Sequence, residues 1–164
     1  MNGYQHICTG IGAGALAASA AYRFGVMPDV GESLLLESCF MLGTLLPDID
    51  NPNSLVGRYF YLPVGHRRII HTAYAVFLFL LPGLFFSPLF ALGFGVYLHL
   101  FFDSFSPCGI SWWRPYSGYI VYPSGAMVKK GFHFVLYRGE ASAWVFALGF
   151  AVLCVFAAVR LVFF

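Results

Sequence analysis

The stretch PLFALGFGVYLHLFFDSFS, residues 88–106, is apolar almost throughout and carries His99 and Asp103 near its far end. About 20 predominantly apolar residues cross a bilayer as a helix. The stretch therefore reads as a membrane helix with two ionisable groups one turn apart. Residues at i and i+4 share a helix face, so an imidazole and a carboxylate so placed can hold one ion. The same spacing also suits a His–Asp hydrogen bond that glues helices together. Ionisable groups at membrane depth are costly and mark function by default.

Four more apolar stretches lie outward from this one. Residues 7–22 are rich in small side chains (Gly10, Gly12, Gly14, Ala17, Ala18), which let helices approach closely in lipid. Residues 33–46 carry Glu37 and end at Pro47. Both are shorter than a comfortable span and read as short spans or a re-entrant pair. Residues 69–86 contain Pro82, an expected kink, and residues 141–164 are long enough to cross with some tilt. Hydrophobic residues make up 60% of the chain and charged residues 10%, whereas soluble domains are nearer one quarter charged. The reading is one integral membrane domain over residues 1–164, an all-α polytopic bundle of four or five helices. A net charge of +2 gives no argument for nucleic acid. Cys8, Cys39, Cys108 and Cys154 form no close pair of the kind that marks a disulfide framework or a zinc knuckle. No Lys or Arg precedes the first apolar run, so it lacks the basic n-region of a signal peptide and is read as retained.

Basic residues orient the bundle. Arg58, Arg67 and Arg68 lie between the second and third stretches, and Arg114, Lys129, Lys130 and Arg138 between the fourth and fifth. The opposite side has only Arg23 and Arg160. The excess places the two basic loops and the N-terminus in the cytoplasm. That topology brings His6, Asp48, Asp50, His66, His71, His99 and Asp103 to one membrane face. Scatter would rarely do this, and His with carboxylate is the donor set of a hydrolytic metal site.

The individual motifs each permit a blander reading. Asp48-Ile-Asp50 follows Pro47, and the residue before proline is pushed out of the helical region. In extended backbone the two carboxylates would point the same way; the alternative is helix-end capping with the turn Asn51-Pro-Asn-Ser54. His66 and His71 are about 140° apart on a continuous helix, and converge better if His66 precedes the helix and His71 sits one turn inside. Arg67 and Arg68 suit phosphate clamping and equally suit cytoplasmic anchoring. Seven ligands exceed one tetrahedral zinc site, which fits a two-metal centre with a bridging carboxylate. In the loop 107–140, Tyr119–Tyr122 and Ala126–Val128 read as a small hairpin. Trp112, Trp113, Tyr116, Tyr119 and Tyr122 suit the headgroup layer, and His133 reads as a non-ligand.

Leu46-Pro-Asp-Ile-Asp50 with Asn51-Pro-Asn-Ser54, His66-Arg67 with His71, His99 with Asp103, Gly109 and Trp113-Arg-Pro115 together resemble the YdjM-like family. Its members are inner-membrane proteins described as metal-dependent hydrolases. The order of ligands is also similar to the zinc-dependent phospholipase C and nuclease P1 group. That similarity implies Asp50, His66 or His71, His99 and Asp103 around one metal, with His6 and Asp103 at a second. The chain lacks that group's N-terminal tryptophan ligand and a further His/Glu cluster.

The expected function is hydrolysis of a lipid phosphoester at the cytoplasmic face of the inner membrane, with one or two divalent ions, zinc by donor type. Metal would activate a water, Asp48 or Asp50 would take its proton, and Arg67, Arg68 or Arg114 would neutralise developing charge. Two alternatives stand beside it. A metal-ion transporter needs a site near the midplane, whereas a structural metal needs only closed coordination.

Overall fold

The computed structural model describes residues 2–25, 29–64, 69–106, 109–110, 112–113, 120–121, 127–128 and 140–163. His66, Arg67, Arg68 and Arg114 lie outside the described residues, as do His133, Tyr116, Tyr119 and Tyr122. The fold is helical, with five α-helices among the described residues.

Helix α1 (Gly3–Arg23) begins before its apolar run because Asn2 and Gln5 close a reciprocal capping box. Asn2 Oδ1 accepts from Gln5 N at 3.0 Å, and Gln5 Oε1 accepts from Asn2 N at 2.8 Å, so two orphan donors of the first turn are satisfied. Helix α2 (Val30–Leu45) starts at Asp29, whose carboxylate accepts from Glu32 N. Both helices exceed the lengths their apolar cores suggest. Helix α1 has 21 residues, and α2 continues into a 3-10 turn (Leu46–Asp50) to make 21. Helices α3 (Ala73–Gly83) and α4 (Ser87–Asp103) form a hairpin, and α5 (Glu140–Phe163) closes the chain. Pro82 does not kink α3. It stands one residue from the helix end, where the i→i+3 bonds from Leu84 N to Leu81 O and from Phe85 N to Pro82 O turn the chain. The expected hairpin in the long loop is present as β1 (Ile120–Val121) and β2 (Met127–Val128), antiparallel, with Val121 opposite Met127.

Small residues set the packing. Helices α2 and α4 run parallel and touch backbone to backbone at Gly43 and Gly95. A Cβ on Gly95 would come within 2.8 Å of the Gly43 Cα and collide with Phe40 O. Helices α1 and α5 are likewise parallel: Cys8 Sγ donates to Ala147 O, and a Cβ on Gly12 would come within 2.6 Å of the Ala151 Cα. Helix α1 runs against α2, and α3 runs against α4.

Exposure is inverted relative to a water-soluble bundle. The buried apolar residues include many alanines, whereas Leu34, Phe77, Phe94 and Leu153 face outward. His6, Asp50, His71, His99 and Asp103 are all at most 2% exposed. Buried polar groups are the informative exception to ordinary burial rules. Among the described residues, two helical stretches are long and apolar enough to cross a membrane, Val30–Asp50 (mean hydropathy 1.2) and Glu140–Phe163 (2.5); α3 and α4 are apolar but shorter.

Candidate metal centre

Four helix ends converge at one end of the bundle. The capping box fixes the first turn of α1 and so aims His6 inward. Thr9 Oγ1 reinforces this turn by donating to Gln5 O and His6 O. Gln5 Nε2 donates to Glu140 O, which brings the start of α5 to the same level.

After α2 the backbone tightens into the 3-10 turn, not the extended strand the sequence suggested. Proline's fixed φ and missing N–H suit the first positions of a helical turn, so Pro47 opens this turn instead of stopping the helix. With three residues per turn, Asp48 and Asp50 point in different directions. Asp48 faces His99 and Asp50 faces His71. The following loop is pinned by Ser54 Oγ donating to Asp48 O (2.7 Å) and Leu62 N donating to Ile49 O (2.9 Å).

His71 closes a second 3-10 turn (Ile69–His71) just before α3, not one turn inside it. Thr72 Oγ1 donates to Ile69 O, and Ala73 N to Trp112 O. His99 and Asp103 lie one turn apart at the end of α4.

The distances decide what the cluster can do. His6 Nε2 lies 3.5 Å from Asp103 Oδ1, and His99 Nε2 lies 3.7 Å from Asp103 Oδ2 and 3.8 Å from Asp48 Oδ1. His71 Nε2 is 3.9 Å from Asp103 Oδ2. These separations exceed those of good N–H···O hydrogen bonds. Two ligand atoms each at ~2.0–2.1 Å from a tetrahedral ion lie roughly 3.3 Å apart, so small contractions would place them around a common cation. His71 Nδ1 lies 3.2 Å from Asp50 Oδ2, the shortest of these separations.

Tautomers follow from the outer partners. His99 Nδ1 lies 2.7 Å from Thr44 O. A carbonyl only accepts, so Nδ1 carries the proton and Nε2 presents a lone pair to Asp48 and Asp103. His71 lies with its Nδ1 toward Asp50 and its Nε2 toward Asp103. His99 Nε2 and both ring nitrogens of His6 are buried and make no hydrogen bond among the described residues. Buried polar atoms are rarely left so, and a cation is the partner that neutral imidazole with carboxylate would accept. Two sets of three offer ligand atoms within 4.8 Å of one another: His6, Asp48 and His99, and His71, His99 and Asp103. These buried groups could hold a metal ion, and the two sets share His99.

The centre opens to a polar cavity of about 370 Å³ whose wall includes Asp48, Asp103, Asn51, Asn53 and Arg58.

A family described as YdjM inner membrane protein matches residues 1–163. The chain belongs to the YdjM inner membrane protein family. No curated protein and no solved structure matches it. In this YdjM-family chain the structure brings six of the seven expected ligand residues together. The seventh, His66, and the arginines Arg67, Arg68 and Arg114 lie outside the described residues. Two contributors were not read from sequence. Thr44 acts through its carbonyl, which no side-chain pattern reveals. Arg58 was read only as a topology marker, although its place eight residues after Asp50 set it close to the centre.

Proposed function

We propose that this protein is a multi-pass, membrane-embedded, metal-dependent hydrolase that cleaves a phosphoester of a lipid at the cytoplasmic face of the inner membrane. The observation that carries the reading is the spacing of buried imidazole and carboxylate atoms, near that of ligands to a common ion, next to an open polar cavity. The spanning of all five helices is supported by their alternating directions, their outward apolar side chains and the family's membrane location. The excess of basic residues on the side of the cluster supports its cytoplasmic placement.

His6, His71, His99 and Asp103 would hold the metal, zinc by donor type. Asp50 orients His71 from the outside, as carboxylates do in His–metal sites. A bound divalent ion would supply Lewis acidity and a water of lowered pKa. Asp48 lines the cavity and can accept a proton on a carboxylate oxygen from an attacking water. Arg67, Arg68 or Arg114 would neutralise charge on the phosphoryl oxygens.

One observation favours a structural metal instead: the cluster ties four helix ends together. The cavity against Asp48 and Asp103 favours catalysis, because a structural site is closed. A transporter would need ligands near the midplane, whereas these sit at one end.

The test is a panel of phospholipids and lipid phosphates offered to zinc-loaded protein, wild type against Asp103→Asn. The variant keeps side-chain size and loses the ligand charge. It should extract as a stable, monodisperse species and hydrolyse nothing that wild type hydrolyses. A fully loaded wild type that turns over no member of the panel would count against the phosphoester assignment.

A further inference from the structure

Arg58 is the one described cation on the wall of the cavity that reaches Asp48 and Asp103. Its guanidinium carries five N–H donors in a planar fork. One is used: Nε donates to Leu55 O at 3.3 Å. The guanidinium carbon also sits 5.3 Å from the centre of the Tyr59 ring, which steadies the side chain without consuming donors. Among the described residues, the remaining donors have no hydrogen-bond partner. Asn53 lines the same wall: its backbone N–H donates to Asn51 Oδ1, which shapes the turn, and its carboxamide makes no hydrogen bond among the described residues. The chain rim that follows, Tyr59-Phe60-Tyr61-Leu62, is exposed at every residue, from 44% at Leu62 to 73% at Tyr59. Exposed aromatic residues beside a basic one are the pattern of a membrane–water interface. This pattern fits a cavity mouth at headgroup level, where the bilayer would present a ligand.

We infer that Arg58 and Asn53 form an anion-recognition subsite for the phosphate headgroup of a membrane lipid. The inference rests on the proposed metal centre, because Asp48 and Asp103 share the cavity. Without a cation to offset them, these carboxylates would repel a phosphate. A bound cation would offset that charge, and the Arg58 guanidinium on the same cavity wall could then clamp two phosphoryl oxygens of the headgroup. Substrates with a compact anionic headgroup are favoured over those with a terminal quaternary amine, which would meet Arg58 as a like charge.

The test uses the full chain, zinc-loaded, in phosphatidylcholine nanodiscs, with binding of dihexanoyl phosphatidic acid read independently of turnover. Wild type should bind it more tightly than inorganic phosphate. Arg58→Gln should weaken binding about tenfold or more, the scale of one charge-assisted pair, with zinc content unchanged. Arg58→Lys should fall between the two and guards against misfolding of the Gln variant. Equal affinity in wild type and both variants overturns the subsite. Inorganic phosphate binding as tightly as the lipid overturns its lipid assignment. If binding depends on Arg58 yet no lipid is cleaved, the subsite stands and the hydrolase reading falls. If lipid is cleaved equally by wild type and Arg58→Gln, the reverse holds.

Discussion

At the scale of single residues, the centre separates ligands from the groups that aim them. Asp103 approaches the imidazoles of His6, His99 and His71, at 3.5, 3.7 and 3.9 Å, whereas Asp50 lies 3.2 Å from the Nδ1 of His71, on the side away from Asp103. Asp50→Asn should therefore weaken zinc binding by about 10–100-fold, the usual cost of an outer-shell change, and leave some metal bound at saturating zinc. His99→Ala should strip most of the metal, because the two candidate ligand sets share that residue. Titration against a chelator of known affinity ranks the variants. Arg67→Lys should keep the metal and lower activity, since lysine retains charge without the bidentate fork. The His99–Asp103 pair was legible in sequence because helical spacing dictates it. The divergence of Asp48 and Asp50 was not, because it depends on Pro47 opening a 3-10 turn. Helix stop and turn start share the same proline signal.

At the scale of elements, close helix contacts hold the ligands in register. Gly43 and Gly95 let α2 and α4 meet at the backbone, one turn from the Thr44–His99 contact. Gly95→Val should wedge the pair apart, at an overpacking cost of about 1–3 kcal/mol. Thermal midpoint and zinc occupancy should fall together, and a variant that loses neither would show that the contact is not what positions His99. The five helices were readable from apolar runs, but their ends were not. Helix α1 begins at Gly3 through a capping box of polar residues that hydropathy ignores, and Pro82 ends α3 where a kink was expected. His71 lies in a turn before α3 because a short 3-10 element leaves no periodic pattern to read.

At the scale of the whole molecule, a single cluster requires both basic loops on one side of the membrane. Reporter fusions after residue 55 and after residue 130 should both report cytoplasm, and a fusion after Phe164 the outside; opposite placement of the two loops would undo the single cluster. The apolar exterior and the buried polar end were foreseeable from composition together with the placement of histidines and acids. The cavity and its Arg58 rim were not, because they arise where segments distant in sequence meet. Elemental analysis of the purified, folded chain decides whether the buried histidines and aspartates hold a metal. One or two equivalents of a divalent transition metal, zinc foremost, are expected in wild type and lost in His99→Ala. Less than a trace in folded wild type, even after zinc is supplied, would contradict that expectation.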